Sequence, residues 1–251
     1  MTVVAISIVK NCADIITPIV EHMATQVDYV RIVDNGSTDG TRELLDGLPC
    51  DVDDDPDPAW YQGQRMTVLA QISRLDYAAD WIVPFDSDEW WYSPFGTVAQ
   101  QCEQAAGVSV LSAAIYDHVP TGVDPDEDDL TRAIGWRRVE PCPLVKVAAI
   151  ASQDLTIWDG NHGADFGRFH PKALDGRLIV RHFPYRSPDQ FIAKARMGAA
   201  ALAATSLPES VGKHWRDYGR LTDDQLREVF AEHFYADDPT TRADLIYDPA
   251  P

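Results

Sequence analysis

Positive charge is scarce in this chain. Lys and Arg number 21 against 40 Asp and Glu, a formal net charge of −19, and only five of the basic residues are lysine. A surface this acidic repels polyanions, so no nucleic acid and no anionic membrane is expected as a partner through general electrostatics. No apolar run approaches the roughly 18 residues that cross a bilayer, so no transmembrane segment is expected. Residues 3–9 are apolar but short. No basic region precedes them and no small-residue cleavage site follows, so they read as a first β-strand and not a signal peptide, with the cytoplasm as the expected compartment. Cysteine is sparse too. Cys12, Cys50, Cys102 and Cys142 lie far apart with no C-x-x-C pair, which excludes zinc-knuckle spacing and leaves reduced, mostly buried thiols. The acidic runs at 51–57 and 124–129 lack the glycine at the sixth place and the glutamate at the twelfth that an EF-hand loop needs. They read as solvated loops.

What is present is a globular pattern. The chain has 251 residues, 45% hydrophobic and 24% charged, too apolar for disorder and long enough for one large domain with or without a smaller C-terminal appendage. Residues 29–33 read as a second strand. Between the strands, Ile15, Ile16, Ile19, Val20 and Met23 share one face of a helix over 15–25, with Asp14 as its cap. A further helix to about residue 45 is expected with Ser37 or Thr38 as cap. Strand, helix, strand, helix in this order implies a parallel sheet with right-handed crossovers. Beyond it a helix is expected over 64–79, a strand over 81–85, a helix over 96–106 and a strand over 108–116. Short strands follow near 136–139, 145–150, 155–158 and 178–183. The C-terminal third turns helical. Ser187-Pro188-Asp189-Gln190 opens a helix to about residue 204, and Thr222-Asp223-Asp224-Gln225 opens another to about residue 234.

Two segments carry chemistry. Trp81-Ile82-Val83-Pro84-Phe85 is an apolar strand that delivers Asp86-Ser87-Asp88-Glu89 at its C-terminal end, the edge where ligands bind in open α/β sheets. If the segment stays extended, Asp86 and Asp88 point the same way and face one cation. Hard oxygen donors suit Mg²⁺ or Mn²⁺, which bridge nucleotide phosphates. The second segment, Asp34-Asn35-Gly36-Ser37-Thr38-Asp39-Gly40-Thr41, places an acid at the end of strand two, where it can accept from a ribose or a base.

In order and spacing, Ser7-Ile8-Val9-Lys10-Asn11, the segment from Asp34 to Thr41, and that from Asp80 to Glu89 resemble glycosyltransferase family 2 and its relatives. Trp60-Tyr61-Gln62-Gly63-Gln64-Arg65 resembles the same family. So does Arg181-His182-Phe183-Pro184-Tyr185-Arg186-Ser187 with Phe191 and Lys194, an element of its bacterial and phage-type branch. The resemblance covers residues 2–116 and returns at 181–194. It implies an α/β GT-A fold with a mixed, mostly parallel central sheet flanked by helices and a helical C-terminal region. Residues 1–186 would form the catalytic domain and 187–251 a helical extension packed on it. Asn11 and Asp34 would line the nucleoside pocket, with Arg65 near base or phosphate. Asp86 and Asp88 would hold the metal and contact ribose and diphosphate. His182 would be the third protein ligand, and Arg186 and Lys194 cationic partners of phosphate. Trp158 to Asp165 would form a loop near the acceptor, with Asp159, His162 and Asp165 as candidates for the catalytic base and His162 as an alternative metal ligand.

The expected activity is metal-dependent transfer of a sugar from a nucleoside-diphosphate-sugar donor to a hydroxyl of a glycan, small-molecule or protein acceptor. The C-terminal helices would either cover the acceptor side or form the surface of a homodimer. A sugar nucleotidyltransferase would want glycines after strand one, and Ser7 to Cys12 has none. A metal-dependent sugar-nucleotide hydrolase and a non-catalytic carbohydrate-binding protein are the alternatives.

Overall fold

The structure, a computed structural model, describes residues 1–168 and 171–251. The chain divides into two compact units. The first comprises Met1–Pro56, Gln62–Tyr116 and Pro141–His182, and the second Asp57–Tyr61, Asp117–Glu140 and Phe183–Pro251.

The first unit is built on an eight-stranded sheet. In chain order its first elements are β1 (Val3–Val9), α1 (Ile16–Gln26), β2 (Tyr29–Asp34), α2 (Thr41–Leu45), β3 (Asp51–Asp54), α3 (Gln62–Asp76), β4 (Trp81–Pro84), β5 (Glu89–Tyr92), α4 (Val98–Gln104) and β6 (Val110–Asp117). A short helix α5 (Leu130–Ala133) and strand β7 (Trp136–Arg138) belong to the second unit. The first unit resumes with β8 (Val145–Ile150), the pair β9 (Leu155–Ile157) and β10 (Ala164–Phe166), and β11 (Ala173–His182). The strand order is β3-β2-β1-β4-β8-β6-β11-β5. Strands β1 to β4 are parallel, β8 is antiparallel to both β4 and β6, and β11 is antiparallel to β5. β6 therefore points the same way as β1 to β4, and the α/β class with a mixed, mostly parallel sheet is the one expected.

β1 and β4 run through the middle of the sheet, so their side chains are buried almost without alternation, as in a strand covered on both faces. One face packs Val4, Ile6 and Ile82 against Met66, Leu69 and Ala70 of α3. Each such side chain contributes roughly 1.5–3 kcal/mol by leaving water. α1 buries Ile16, Ile19, Val20 and Met23, the face that its spacing marks out.

Several local expectations need correction. Asp14 does not cap α1. The amides of Ile15 and Ile16 turn back onto the Cys12 carbonyl at 3.0 and 2.9 Å. Ser37 and Thr38 do not cap α2 either. Asp39 accepts from the Thr41 amide at 3.0 Å, and Ser37 and Thr38 are drawn to Asn11 instead. Residues 51–54 are an edge strand, not a solvated loop. Their carboxylates are met by cations from neighbouring elements, with Arg31 on Asp53 at 2.7 Å and Arg42 on Asp54 at 2.8 Å. The aromatic run after the acidic motif forms β5, in register with β11 so that His182 lies opposite Glu89.

The second unit contains the C-terminal helices α6 (Pro188–Ala203), α7 (Lys213–Gly219) and α8 (Asp223–His233), and strand β12 (Leu245–Tyr247), which pairs with β7. Phe191, Ala195, Leu226 and Phe230 form its core, with Tyr185, Trp215 and Phe234 packed around them. Both expected caps are present. Ser187 accepts from the Gln190 amide at 3.2 Å, and Thr222 and Gln225 close a reciprocal capping box at 2.8 and 3.2 Å. Among the described residues no helix is long and apolar enough to cross a membrane.

Candidate functional site

The C-terminal ends of β2, β1 and β4 lie side by side, because Val9 pairs with Asp34 and Ile6 with Pro84 in the parallel ladders. Three of the expected segments therefore meet at one sheet edge. At the end of β1, Asn11 takes a left-handed backbone with φ of 49°, which asparagine tolerates better than most residues. Its amide donates to Ser37 Oγ at 3.0 Å and its side-chain oxygen accepts from the Thr38 amide at 2.8 Å. Lys10 Nζ donates to the Asn35 carbonyl at 2.6 Å. Asp34 is only 3% exposed. Its Oδ2 accepts from the Ser37 amide at 2.9 Å, while its buried Oδ1 has no hydrogen-bond donor among the described residues. A buried carboxylate oxygen left without a donor is costly and marks a place where a ligand can supply one.

The acidic motif departs from the extended geometry on which the expectation of a shared cation rested. Between β4 and β5 the chain makes a tight turn, with the Glu89 amide donating to the Asp86 carbonyl at 3.1 Å. In a turn, residues two apart no longer share a direction, and the two aspartates go to different partners. Asp88 Oδ1 lies 3.7 Å from His182 Nε2. Asp86 Oδ2 lies 2.5 Å from Lys146 Nζ, and Asp86 Oδ1 accepts from Gln62 Nε2 and Asn161 Nδ2, both at 3.0 Å.

Lys146 is the second residue of β8 and is 4% exposed. Its ammonium also reaches Glu89 Oε1 at 2.7 Å and donates to the Gly160 carbonyl at 2.8 Å. Glu89 is wholly buried, and its Oε2 accepts from the Asp86 amide and from Trp91 Nε1, both at 3.1 Å. Burial pushes the Glu89 carboxyl upward, opposed chiefly by the Lys146 charge. Lys146 is itself held above its ordinary value, because Asp86 and Glu89 together outweigh its desolvation. Gln62 ties the cluster to the loop after β9, its Oε1 accepting from the Gly160 amide at 3.0 Å.

That loop holds two of the three candidate bases, Asp159 and His162, and β10 carries the third, Asp165. Asp159 Oδ1 accepts from the Gly63 amide at 2.8 Å, and Asp165 Oδ2 accepts from Trp158 Nε1 at 2.9 Å. His162 Nδ1 donates to the Val145 carbonyl at 2.8 Å, which leaves Nε2 as an acceptor. Burial lowers the His162 pKa, and the nearby Lys146 charge adds to this. Beside the loop is a cavity of about 520 Å³ lined by Gly63, Gln64, Thr67, Thr156, Ile157, Trp158 and Asp159, with Trp158 50% exposed.

Of the other expected residues, Arg65 pairs with Asp55 at 3.4 Å and reaches the same edge through it, because the Asp55 amide donates to the Asp34 carbonyl at 2.9 Å. Arg186 and Lys194 belong to the second unit. There Arg186 Nη1 donates to the Phe183 carbonyl at 2.9 Å and Lys194 Nζ to the Pro184 carbonyl at 3.1 Å.

A divalent ion held jointly by Asp86, Asp88 and His182 does not fit this arrangement. Both oxygens of Asp86 are engaged, one of them by an ammonium, and among the described residues no three His, Cys, Asp or Glu side chains are grouped as a cation site. Gln62, Lys146 and Asn161 were not anticipated. The one available signal was a lysine inside the otherwise apolar run Val145-Lys146-Val147-Ala148-Ala149-Ile150.

No protein-family model and no curated protein matches the chain. Solved structures do. The TarS 1–349 structure from S. aureus in complex with UDP-GlcNAc is similar at a TM-score of 0.40 and 15% identity, covering 93% of this chain and 73% of that one. This chain spans 42% of the longer TarS structure. Mannosyl-3-phosphoglycerate synthase from Rubrobacter xylanophilus is similar at a TM-score of 0.43 and 18% identity, covering 88% of this chain and 76% of that one. GalNAc-T7 with UDP, GalNAc and Mn²⁺ is similar at a TM-score of 0.44 and 13% identity, covering 93% and 58%.

Proposed function

We propose that this chain is a GT-A glycosyltransferase that moves a sugar from a nucleoside-diphosphate-sugar donor to an acceptor hydroxyl. The observation that carries the reading is the meeting of Asp34, Asn11 and the turn at Asp86 to Asp88 at the C-terminal ends of three adjacent parallel strands. Ligands of open α/β sheets bind at that edge. The orphaned Asp34 Oδ1 accepts from a ribose hydroxyl or a base N–H. Asn11, the Ser37 hydroxyl and the Thr38 amide hold each other and keep the nucleoside side of the edge rigid.

His162 is the best placed of the three candidate bases. Its Nδ1–H is fixed on a carbonyl, its Nε2 carries a lone pair, and its lowered pKa keeps it neutral near pH 7, ready to take the acceptor's proton. Asp159 serves instead to fasten the start of α3, and Asp165 to orient Trp158. The exposed Trp158 offers a ring face to an acceptor sugar or other small acceptor.

A thermal-shift screen of UDP-, GDP-, dTDP- and CDP-sugars tests the donor assignment. A donor at a hundredfold excess over its Kd should stabilise the fold by about 2.7 kcal/mol. Asp34→Asn should weaken that response, and His162→Gln should keep it while losing turnover by roughly 10²–10⁴-fold. Failure of every nucleotide to bind would sink the proposal. Release of free sugar without any acceptor would convert it to a hydrolase.

A further inference from the structure

We propose that Lys146 stands in for a divalent cation at the acidic turn, so that the nucleoside diphosphate binds without a metal ion. The inference rests on the donor reading above and concerns the same site. The ammonium donates to Asp86 Oδ2 at 2.5 Å and to the Gly160 carbonyl at 2.8 Å, and Glu89 Oε1 lies 2.7 Å from it as an ion contact. The lysine is thus held among three oxygens, much as a small cation would be. It is not free to bind phosphate itself. It acts as a positioning and neutralising residue. Its one positive charge, shared between Asp86 and Glu89, offsets one of the two carboxylate charges that would otherwise repel a diphosphate in a chain that already carries −19.

Three observations make the arrangement hard for a metal to displace. Lys146 is fixed on β8, opposite Ala113 in the antiparallel ladder with β6. The second oxygen of Asp86 is taken by the Gln62 and Asn161 amides. Glu89 is wholly buried, so expelling the ammonium would strand both a cation and a carboxylate away from water. Asp88 Oδ1 meanwhile lies 3.7 Å from His182 Nε2.

The test uses the whole chain, freed of metal by a chelator, in two calorimetric series. Wild type titrated with Mn²⁺ or Mg²⁺ alone should give no saturable one-to-one binding. UDP, GDP, dTDP and CDP should bind, where they bind, with affinities that differ by less than about threefold between chelator and Mn²⁺. Lys146→Ala should acquire a one-to-one Mn²⁺ site, and adding Asp86→Asn should abolish it. One-to-one Mn²⁺ binding by wild type, or Mn²⁺ tightening a nucleoside diphosphate by more than about tenfold, overturns the proposal. So does a folded Lys146→Ala that takes up no Mn²⁺. If that variant does not fold, the wild-type titrations decide alone. If no nucleotide binds under either condition, the donor reading fails, while the Mn²⁺ series still judges the lysine.

Discussion

His22 illustrates how one buried side chain links packing to pH. It lies on α1, stacks on Trp90 with ring centroids 3.8 Å apart, and donates from Nε2 to the Trp91 carbonyl at 2.6 Å. Burial lowers its pKa to about 4, the carbonyl bond works against this, and the Arg181 charge assists it. Because the folded pKa lies below the ordinary 6.5, the unfolded chain takes up the proton first as pH falls. The stability from neutral His22 is thus complete above about pH 6.5 and is lost as pH drops toward 4, up to roughly 3 kcal/mol. Urea unfolding at pH 7 and pH 5 should show a smaller drop for His22→Gln than for wild type, and equal drops would contradict the assignment. Neither this histidine nor Lys146 announces its role in sequence. Each depends on partners far along the chain, 69 residues away for His22 and 60 for the Lys146–Asp86 pair. The position of Asp34, by contrast, was legible, because a strand end is a local feature.

At the scale of elements, helix α3 meets the loop after β9 at a residue with no room for a side chain. A Cβ on Gly63 would lie 2.9 Å from both Asp159 Oδ1 and the Ile157 carbonyl and 3.0 Å from the Asp159 amide nitrogen. Two of these are backbone atoms that cannot swing aside. Gly63→Ala should therefore destabilise the fold by about 1–3 kcal/mol. It should appear as a lower urea midpoint with an unchanged slope. A variant as stable as wild type would mean the loop yields freely. Elements with internal signals were readable. The serine cap of α6, the capping box of α8 and the apolar run of β8 stand where the sequence puts them. Elements made by their neighbours were not. β3 is an acidic edge strand paired on Arg31 to Asp34, and β5 forms because the turn at Asp86 sends the aromatic run onto β11.

For the molecule as a whole, an excess of 19 negative charges sets its response to salt. Like charges on a compact chain repel one another, and salt shortens their reach from about 30 Å at 0.01 M to about 8 Å at 0.15 M. Most ion pairs here are partly exposed, so their screening costs little. The melting temperature should rise over that salt range by about 2–4 °C, the shift that about 1 kcal/mol produces in a chain of this size. A fall would mean that the Arg–Asp pairs outweigh the net repulsion.

By itself the sequence determined the α/β class, the strand-and-helix order of the first 45 residues and the presence of acids at the C-terminal ends of the parallel strands, because periodicity, caps and strand ends are short-range signals. Only the tertiary structure decided what those acids do. Whether Asp86 and Asp88 face one ion depends on the backbone between β4 and β5. Which cation answers Asp86 depends on a strand arriving from 60 residues away. The charge balance of a buried site is settled by the solvent that folding removes and by the oppositely charged groups it brings together.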